Sequence, residues 1–224
     1  MEELKTQAEP RYRDFCTALC PGAHRPMLGV RLPLLRKMAR TIAFGTEWRK
    51  VVDEELTNST FEEVLLSGMI VGYAKMDLQE SFDRIANYVK KIDNWSLCDS
   101  ACVSFTIARK KPDDFWAFLQ PYIDQDEEFR QRFGVVMLLD HFLTPIYIER
   151  VVKKLCTLRP TAYYAQMAVA WALSVCFIKR PDLTLSALQH TTLDSFTYNK
   201  TLQKILESQR TPLELRTAIR AMKR

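Results

Sequence analysis

Long apolar helical segments begin near Phe61, Trp95, Phe129, Tyr163 and Asn199, at intervals of 34, 34, 34 and 36 residues. A helical period of that size, sustained along a chain, restricts it to stacked units that each bury a face against the next. Within each period a shorter segment with charged flanks precedes the longer one, as in residues 81–91 ahead of Trp95 and 145–158 ahead of Tyr163. The pattern predicts two layers, the shorter helices in one and the more apolar ones in the other. Only 6 glycines occur, and no Asn-Gly or Asp-Gly step, so hairpins and an all-β fold are not expected.

Pro, Gly, Asn and Asp cut the helical periodicity into segments at 11–19, 32–44, 47–55, 60–73, 78–89, 94–108, 113–119, 127–143, 145–155, 161–178, 182–189 and 195–208, with a last short helix over 212–222. Pro33, Pro112, Pro145, Pro160, Pro181 and Pro212 stand at or just before helix starts, where a missing N–H costs nothing. The expected fold is all-α, a right-handed solenoid of antiparallel helix pairs of the HEAT or armadillo kind. Its inner layer would line a concave, basic cleft. No low-complexity stretch or linker interrupts it, so residues 1–224 are expected to form one domain.

With 224 residues, 47% hydrophobic and 26% charged, the chain can build a core without disulfides or metal. Residues 1–6 do not resemble a secretory signal, and the most apolar run, 167–177, is about half a bilayer span. A cytoplasmic monomer, not attached to membrane, is expected. The six cysteines include Cys16 with Cys20 and Cys98 with Cys102, each pair four apart in apolar helical pattern, which reads as buried reduced thiols. No CxxC, metal-ligand cluster, phosphate-cradling glycine loop or Ser-His-Asp set is present, so neither metal nor cofactor is expected. A net charge of +5 permits a nucleic-acid partner without requiring one. The basic C-terminal run Lys200, Lys204, Arg210, Arg216, Arg220, Lys223 and Arg224 reads most simply as a solvated helix face.

Trp95 and Asp99, four apart in Asp93-Asn94-Trp95-Ser96-Leu97-Cys98-Asp99, share a helix face and place an indole beside a carboxylate. Arg132 follows 37 residues later and Trp171 a further 39, which suggests one equivalent position in successive repeats. Taken singly, these residues also fit structural roles: a half-buried aromatic beside a solvated acid, an arginine in an ion pair or helix cap, a core tryptophan. His24, His141 and His190 are isolated.

The chain resembles the AlkD-type DNA alkylation repair enzymes, alkylpurine DNA glycosylases built from HEAT-like repeats. The resemblance covers nearly its whole length. It is carried by Leu28-Gly29-Val30-Arg31-Leu32-Pro33-Leu34-Leu35-Arg36, the segment from Val64-Leu65-Leu66 to Gly72-Tyr73-Ala74-Lys75, Asp93-Asn94-Trp95 through Asp99, Arg130-Gln131-Arg132, and Gln166 through Trp171. It implies that Trp95, Asp99, Arg132 and Trp171 form the active cleft. Ser96 and Cys98 between Trp95 and Asp99 depart from the family's usual residues there.

The activity this implies is monofunctional hydrolysis of the N-glycosidic bond of cationic N3- or N7-alkylpurines in duplex DNA. Asp99 would stabilise an oxocarbenium-like sugar and position water, with Trp95 and Trp171 as aromatic walls. Arg132 would grip a phosphate, and Arg31, Arg36, Lys75, Lys110 and Lys179 would bind backbone along the rim. No lysine lies within the Trp95–Asp99 turn or beside Arg132 or Trp171, so no lyase nucleophile is expected. The rival expectations are a noncatalytic repeat protein that recognises damaged or branched DNA, and a helical scaffold for a protein partner.

Overall fold

A computed structural model describes residues 2–224, and among them it shows fourteen α-helices and no strand. The chain divides into two compact units, with the boundary between Lys111 and Pro112. In the N-terminal unit, α1 (Glu2–Thr6) and α2 (Pro10–Leu19) precede α3 (Leu32–Ala43) and α4 (Trp48–Lys50), which runs on as a π-helical turn, Val51–Glu55. They are followed by α5 (Phe61–Tyr73), α6 (Leu78–Val89), α7 (Trp95–Cys102) and a 3-10 turn, Thr106–Arg109. The C-terminal unit comprises α8 (Pro112–Ile123), α9 (Glu128–His141), α10 (Ile148–Thr157), α11 (Tyr163–Lys179), α12 (Pro181–Gln189), α13 (Ser195–Glu207) and α14 (Leu213–Ala221).

The two layers inferred from the sequence are present within each unit. Helix α5 packs against α3, α6 and α7 and is buried from Phe61 to Gly72, while α6 buries only one stripe, Ser81, Ile85, Tyr88 and Val89. Likewise α11 packs against α9 and α13, with α10 and α12 laid upon it. A helix covered on most sides must be apolar on most sides, and one covering it needs a single apolar stripe. Helix α10 buries one stripe, whereas α11 is buried over most of its surface but leaves Trp171, Val175 and Ile178 half-exposed.

Helix starts recur at Phe61, Trp95, Glu128, Tyr163 and Ser195, each set by a local device. Thr60 and Glu63 form a capping box on α5. Asn94 Oδ1 accepts from the Ser96 and Leu97 N–H groups, both at 3.0 Å, and Glu127 caps α9. Ala162 cannot cap α11, and the carboxylate of Glu128 on the neighbouring helix accepts the Tyr164 N–H instead, at 2.6 Å. Asp194 accepts from Thr197 N–H at 3.0 Å, which starts α13 at Ser195, four residues before the Asn199 start that the repeat spacing suggests.

Two boundaries differ from expectation for identifiable reasons. The segment expected to be helical over 94–108 breaks after Cys102, where the chain passes hard against α5: a Cβ on Gly72 would lie 2.6 Å from the Ser104 carbonyl carbon. Gly72→Ala therefore forces backbone apart and is expected to cost about 1–3 kcal/mol, read as a lower urea midpoint with an unchanged slope. Conversely, α8 continues through Pro121 to Ile123. Pro121 and Ala117, the residue four before it, are both exposed, while Ile123 is fully buried against Gly134, where a Cβ would lie 2.6 Å from Ile123 Cγ1.

All six cysteines are free, and five of them are buried. Burial pushes the thiols of Cys20 and Cys156 up to about 11 and that of Cys176 up to about 12, which keeps them protonated and inert. Among the described residues no helix is long and apolar enough to cross a membrane, and no group of three His, Cys, Asp or Glu side chains is placed to hold a metal ion.

Candidate active site and nucleic-acid interface

Helix α7 has two distinct sides. Leu97, Cys98, Ala101 and Cys102 are buried, whereas Trp95, Ser96, Asp99 and Ser100 are half-exposed and occupy one continuous arc. Asp99 thus lies on the open stripe beside Trp95, one helical turn on, and not in the core. The helix is held at both ends. At its start, Arg25 donates to the Lys91 carbonyl at 3.1 Å and pairs with Asp93, whose other oxygen accepts from Asn94 Nδ2 at 2.8 Å. Towards its C-terminus the Arg36 guanidinium donates to the Ser100 carbonyl at 3.2 Å and to the Tyr73 hydroxyl at 3.3 Å. A cation on a late helical carbonyl satisfies an otherwise orphan acceptor and suits the helix dipole.

Trp95 is oriented by its indole N–H, which donates to the Leu19 carbonyl at the end of α2, at 3.2 Å. Beside it, within the N-terminal unit, lies an apolar cavity of about 220 Å³ walled by Tyr12, Phe15, Leu19, Met27 and Leu65, with Ser96 and Ser100 on the α7 side. Helix α2, which buries no residue fully and leaves Phe15 and Leu19 exposed, is therefore one wall of the Trp95 environment. Nothing in its weak periodicity signals this.

In the C-terminal unit Arg132 is only 6% exposed, and its Nη1 donates to the Tyr164 carbonyl at 2.8 Å. The guanidinium is thereby held in one position between α9 and the first turn of α11. Trp171 is half-exposed and lines a shallow groove of about 330 Å³ with Ser174, Val175, Ile178, Lys204, Glu207 and Arg210. It is not a core residue, although its helix packs against four others of the unit.

The near-equal spacing of Trp95, Arg132 and Trp171 does not mark one equivalent position. Trp95 is the first residue of α7, Arg132 the fifth of α9 and Trp171 the ninth of α11. Helix starts recur at shorter intervals than these three residues do, so each is displaced one turn further along its own helix. A step of four keeps the angular face while changing the depth, and Asp99 and Arg132 share the fifth position.

The remaining expected DNA contacts fall into two groups. Arg31, at the start of α3, is exposed but engaged by Glu9 through two bonds of 2.8 Å and lies over the Tyr12 ring; hydrogen bonding and charge from Glu9 raise its pKa. Arg36 is committed to Ser100 and Tyr73. Lys75, Lys110 and Lys179 are exposed and make no ion pair. Lys204, on α13, and Arg210, just beyond it, reach solvent as read from the sequence and also line the groove beside Trp171, so a lysine stands near Trp171 in space although none does along the chain.

Comparison with known proteins adds one finding. A family model described as DNA alkylation repair enzyme matches residues 1–222. No curated protein and no solved structure matches the chain.

Proposed function

Because the chain belongs to the DNA alkylation repair enzyme family, we propose that it is a monofunctional DNA glycosylase that hydrolyses cationic N3- or N7-alkylpurine nucleotides in duplex DNA. The observation that carries this reading is the half-exposed Asp99 on one arc of α7 with Trp95, on a helix braced by Arg25, Asn94 and Arg36. An alkylated N3 or N7 already gives the purine a formal positive charge. When the C1′–N bond breaks, its electron pair leaves with the base and neutralises it, so no strong general acid is needed. The positive charge passes to the sugar, where a fixed carboxylate stabilises it. Water then adds to C1′ and loses a proton, with Asp99 placed to orient it and accept that proton.

Trp95 and Trp171 present electron-rich faces that favour a cationic sugar and base over neutral ones. Arg132 is assigned a phosphate contact, its guanidinium held by Tyr164 in one position. Lys75, Lys110 and Lys179 supply further backbone contacts, with Arg31 joining them only by exchanging Glu9 for phosphate. Arg36 is assigned a positioning role through α7. The HEAT-like repeat belongs to the same proposal and is supported within each unit by the alternation of largely buried and one-striped helices. The family match runs through both units, which supports reading them as one functional piece.

The test is release of free base from duplex DNA carrying one defined 7-methylguanine, with strand scission scored after alkali and without it. Expected are free 7-methylguanine and scission only with alkali. Scission without alkali would refute the monofunctional assignment, and binding of the duplex with no base released would favour the noncatalytic rival.

A further inference from the structure

The first turns of the inner helices in the C-terminal unit are joined by aromatic rings. Phe129 of α9 stacks on Tyr164 of α11 at 5.6 Å between centroids, Tyr164 meets Tyr163 at 5.2 Å, and Tyr163 meets Phe196 of α13 at 6.0 Å. The run ends in solvent: Tyr163 is 54% and Phe196 39% exposed. Their planes are inclined by 50°, which leaves an open corner with one ring for a floor and the other for a wall.

Cations surround this corner and continue past it. Lys200 Nζ lies 5.8 Å from the Phe196 centroid and donates to the neutral Gln203 at 3.0 Å. Lys200, Phe196, Asn199 and Gln203 line a hollow of about 340 Å³, and Lys204 further along α13 and Arg210 just past its end flank Trp171. Lys200, Lys204 and Arg210 make no ion pair with any described residue, in contrast with Arg31, Arg49, Arg84 and Lys154, each held by a carboxylate. One acid, Glu207, shares the groove and accepts from Gln203 Nε2 at 2.7 Å.

We propose that the exposed face of α11 and α13 binds unpaired DNA, with bases stacking on Tyr163 and Phe196 and phosphates held by Lys200, Lys204 and Arg210. Unpaired cations beside flat rings fit a polyanion that carries flat rings. Base faces inside a duplex are closed by their neighbours, so an exposed aromatic corner gains most from a base that has left the stack. The inference goes beyond the hydrolytic reading and shares with it DNA as the partner and the groove beside Trp171.

The test measures fluorescence anisotropy of a labelled, unmodified oligothymidylate of about twelve nucleotides, against the same strand fully paired. Tyr163→Ala/Phe196→Ala is expected to weaken single-strand binding roughly tenfold or more, as losing one or two stacked bases would. Lys200→Ala/Lys204→Ala should make the slope of log affinity against log salt shallower by about 1.4, the effect of two phosphates on a single strand. All four side chains reach solvent, so melting temperatures should stay at the wild-type value and report that each variant is folded. Absence of oligomer binding by the wild type, undiminished binding by the aromatic variant, or equal dependence on these rings for the paired strand would overturn the proposal. Release of 7-methylguanine from the duplex substrate is assayed on the same preparations. If the wild type releases none yet binds the oligomer through Tyr163 and Phe196, the hydrolytic reading fails and this one stands; the reverse result separates them the other way.

Discussion

Asp99→Asn should release 7-methylguanine from duplex DNA at least about a hundredfold more slowly than the wild type, while binding the same duplex within a few-fold. The substitution keeps the shape of the side chain and its position on the open arc of α7, so neither helix nor cap is disturbed. It removes the charge and turns one acceptor oxygen into an NH2 donor. A fixed group facing charge that develops in the transition state contributes about 2.7–4 kcal/mol in a water-poor site, and a full carboxylate against an oxocarbenium falls at or above that range. Binding depends instead on phosphate contacts, which the change leaves alone. Single-turnover release with saturating enzyme separates the two effects. An Asn variant as fast as the wild type would end the assignment of Asp99 as the catalytic group.

The largest effect expected on stability is at Glu62. Its side chain, 2% exposed, accepts from three successive backbone N–H groups: Leu28 at 2.9 Å, Gly29 at 2.7 Å and Val30 at 3.2 Å. These are the residues that lead the chain into Arg31 and α3, and Gly29 has φ +88° and too little room for a Cβ, which would lie 2.5 Å from the Glu9 carbonyl oxygen. Glu62→Ala leaves the three donors without their acceptor, and at about 1–3 kcal/mol for each buried unsatisfied group the loss is about 3–9 kcal/mol. Against a typical total of about 5–15 kcal/mol, that removes much of the margin. Glu62→Gln should lose less, because its carbonyl oxygen still serves Gly29 and Val30 while its NH2 faces the Leu28 N–H. Urea denaturation of the three proteins in parallel gives the order. An Ala variant within about 1 kcal/mol of wild type would show that water replaces the carboxylate there.

Glu63 lies beside it in sequence but does a different task. It completes the capping box and accepts from Ser59, Thr60 and Thr57; burial works against its charge, but these bonds outweigh that and hold its carboxyl below the usual range. The division between Glu62 and Glu63 was not visible in the sequence, which only places both at the start of the helical segment 60–73. A cap is a local pattern. An acceptor for a loop some thirty residues earlier is not.

The same contrast runs through the site. Trp95 and Asp99 are four apart on one helix, and a helix fixes their relation by its own geometry, so the chain order alone put them on one face. The helix pairs, their apolar and amphipathic alternation and most of their starts were legible for the same reason: period, caps and prolines act within a few residues. What the sequence did not show depends on chain segments far apart in order. Arg36, expected along the rim, is tied to α7; Arg31, expected there too, is held by Glu9; Lys204 and Arg210, read as a solvated face, reach solvent and also line the groove beside Trp171. The equal spacing of Trp95, Arg132 and Trp171 pointed to one level, yet each lies one turn further along its helix. By itself, then, the sequence determined an all-helical chain and a family, because periodicity and motif order are properties of the chain. Which cations remain open, which carboxylates are spent inside, and where aromatic rings meet solvent were decided by packing, because those depend on which helix lies against which.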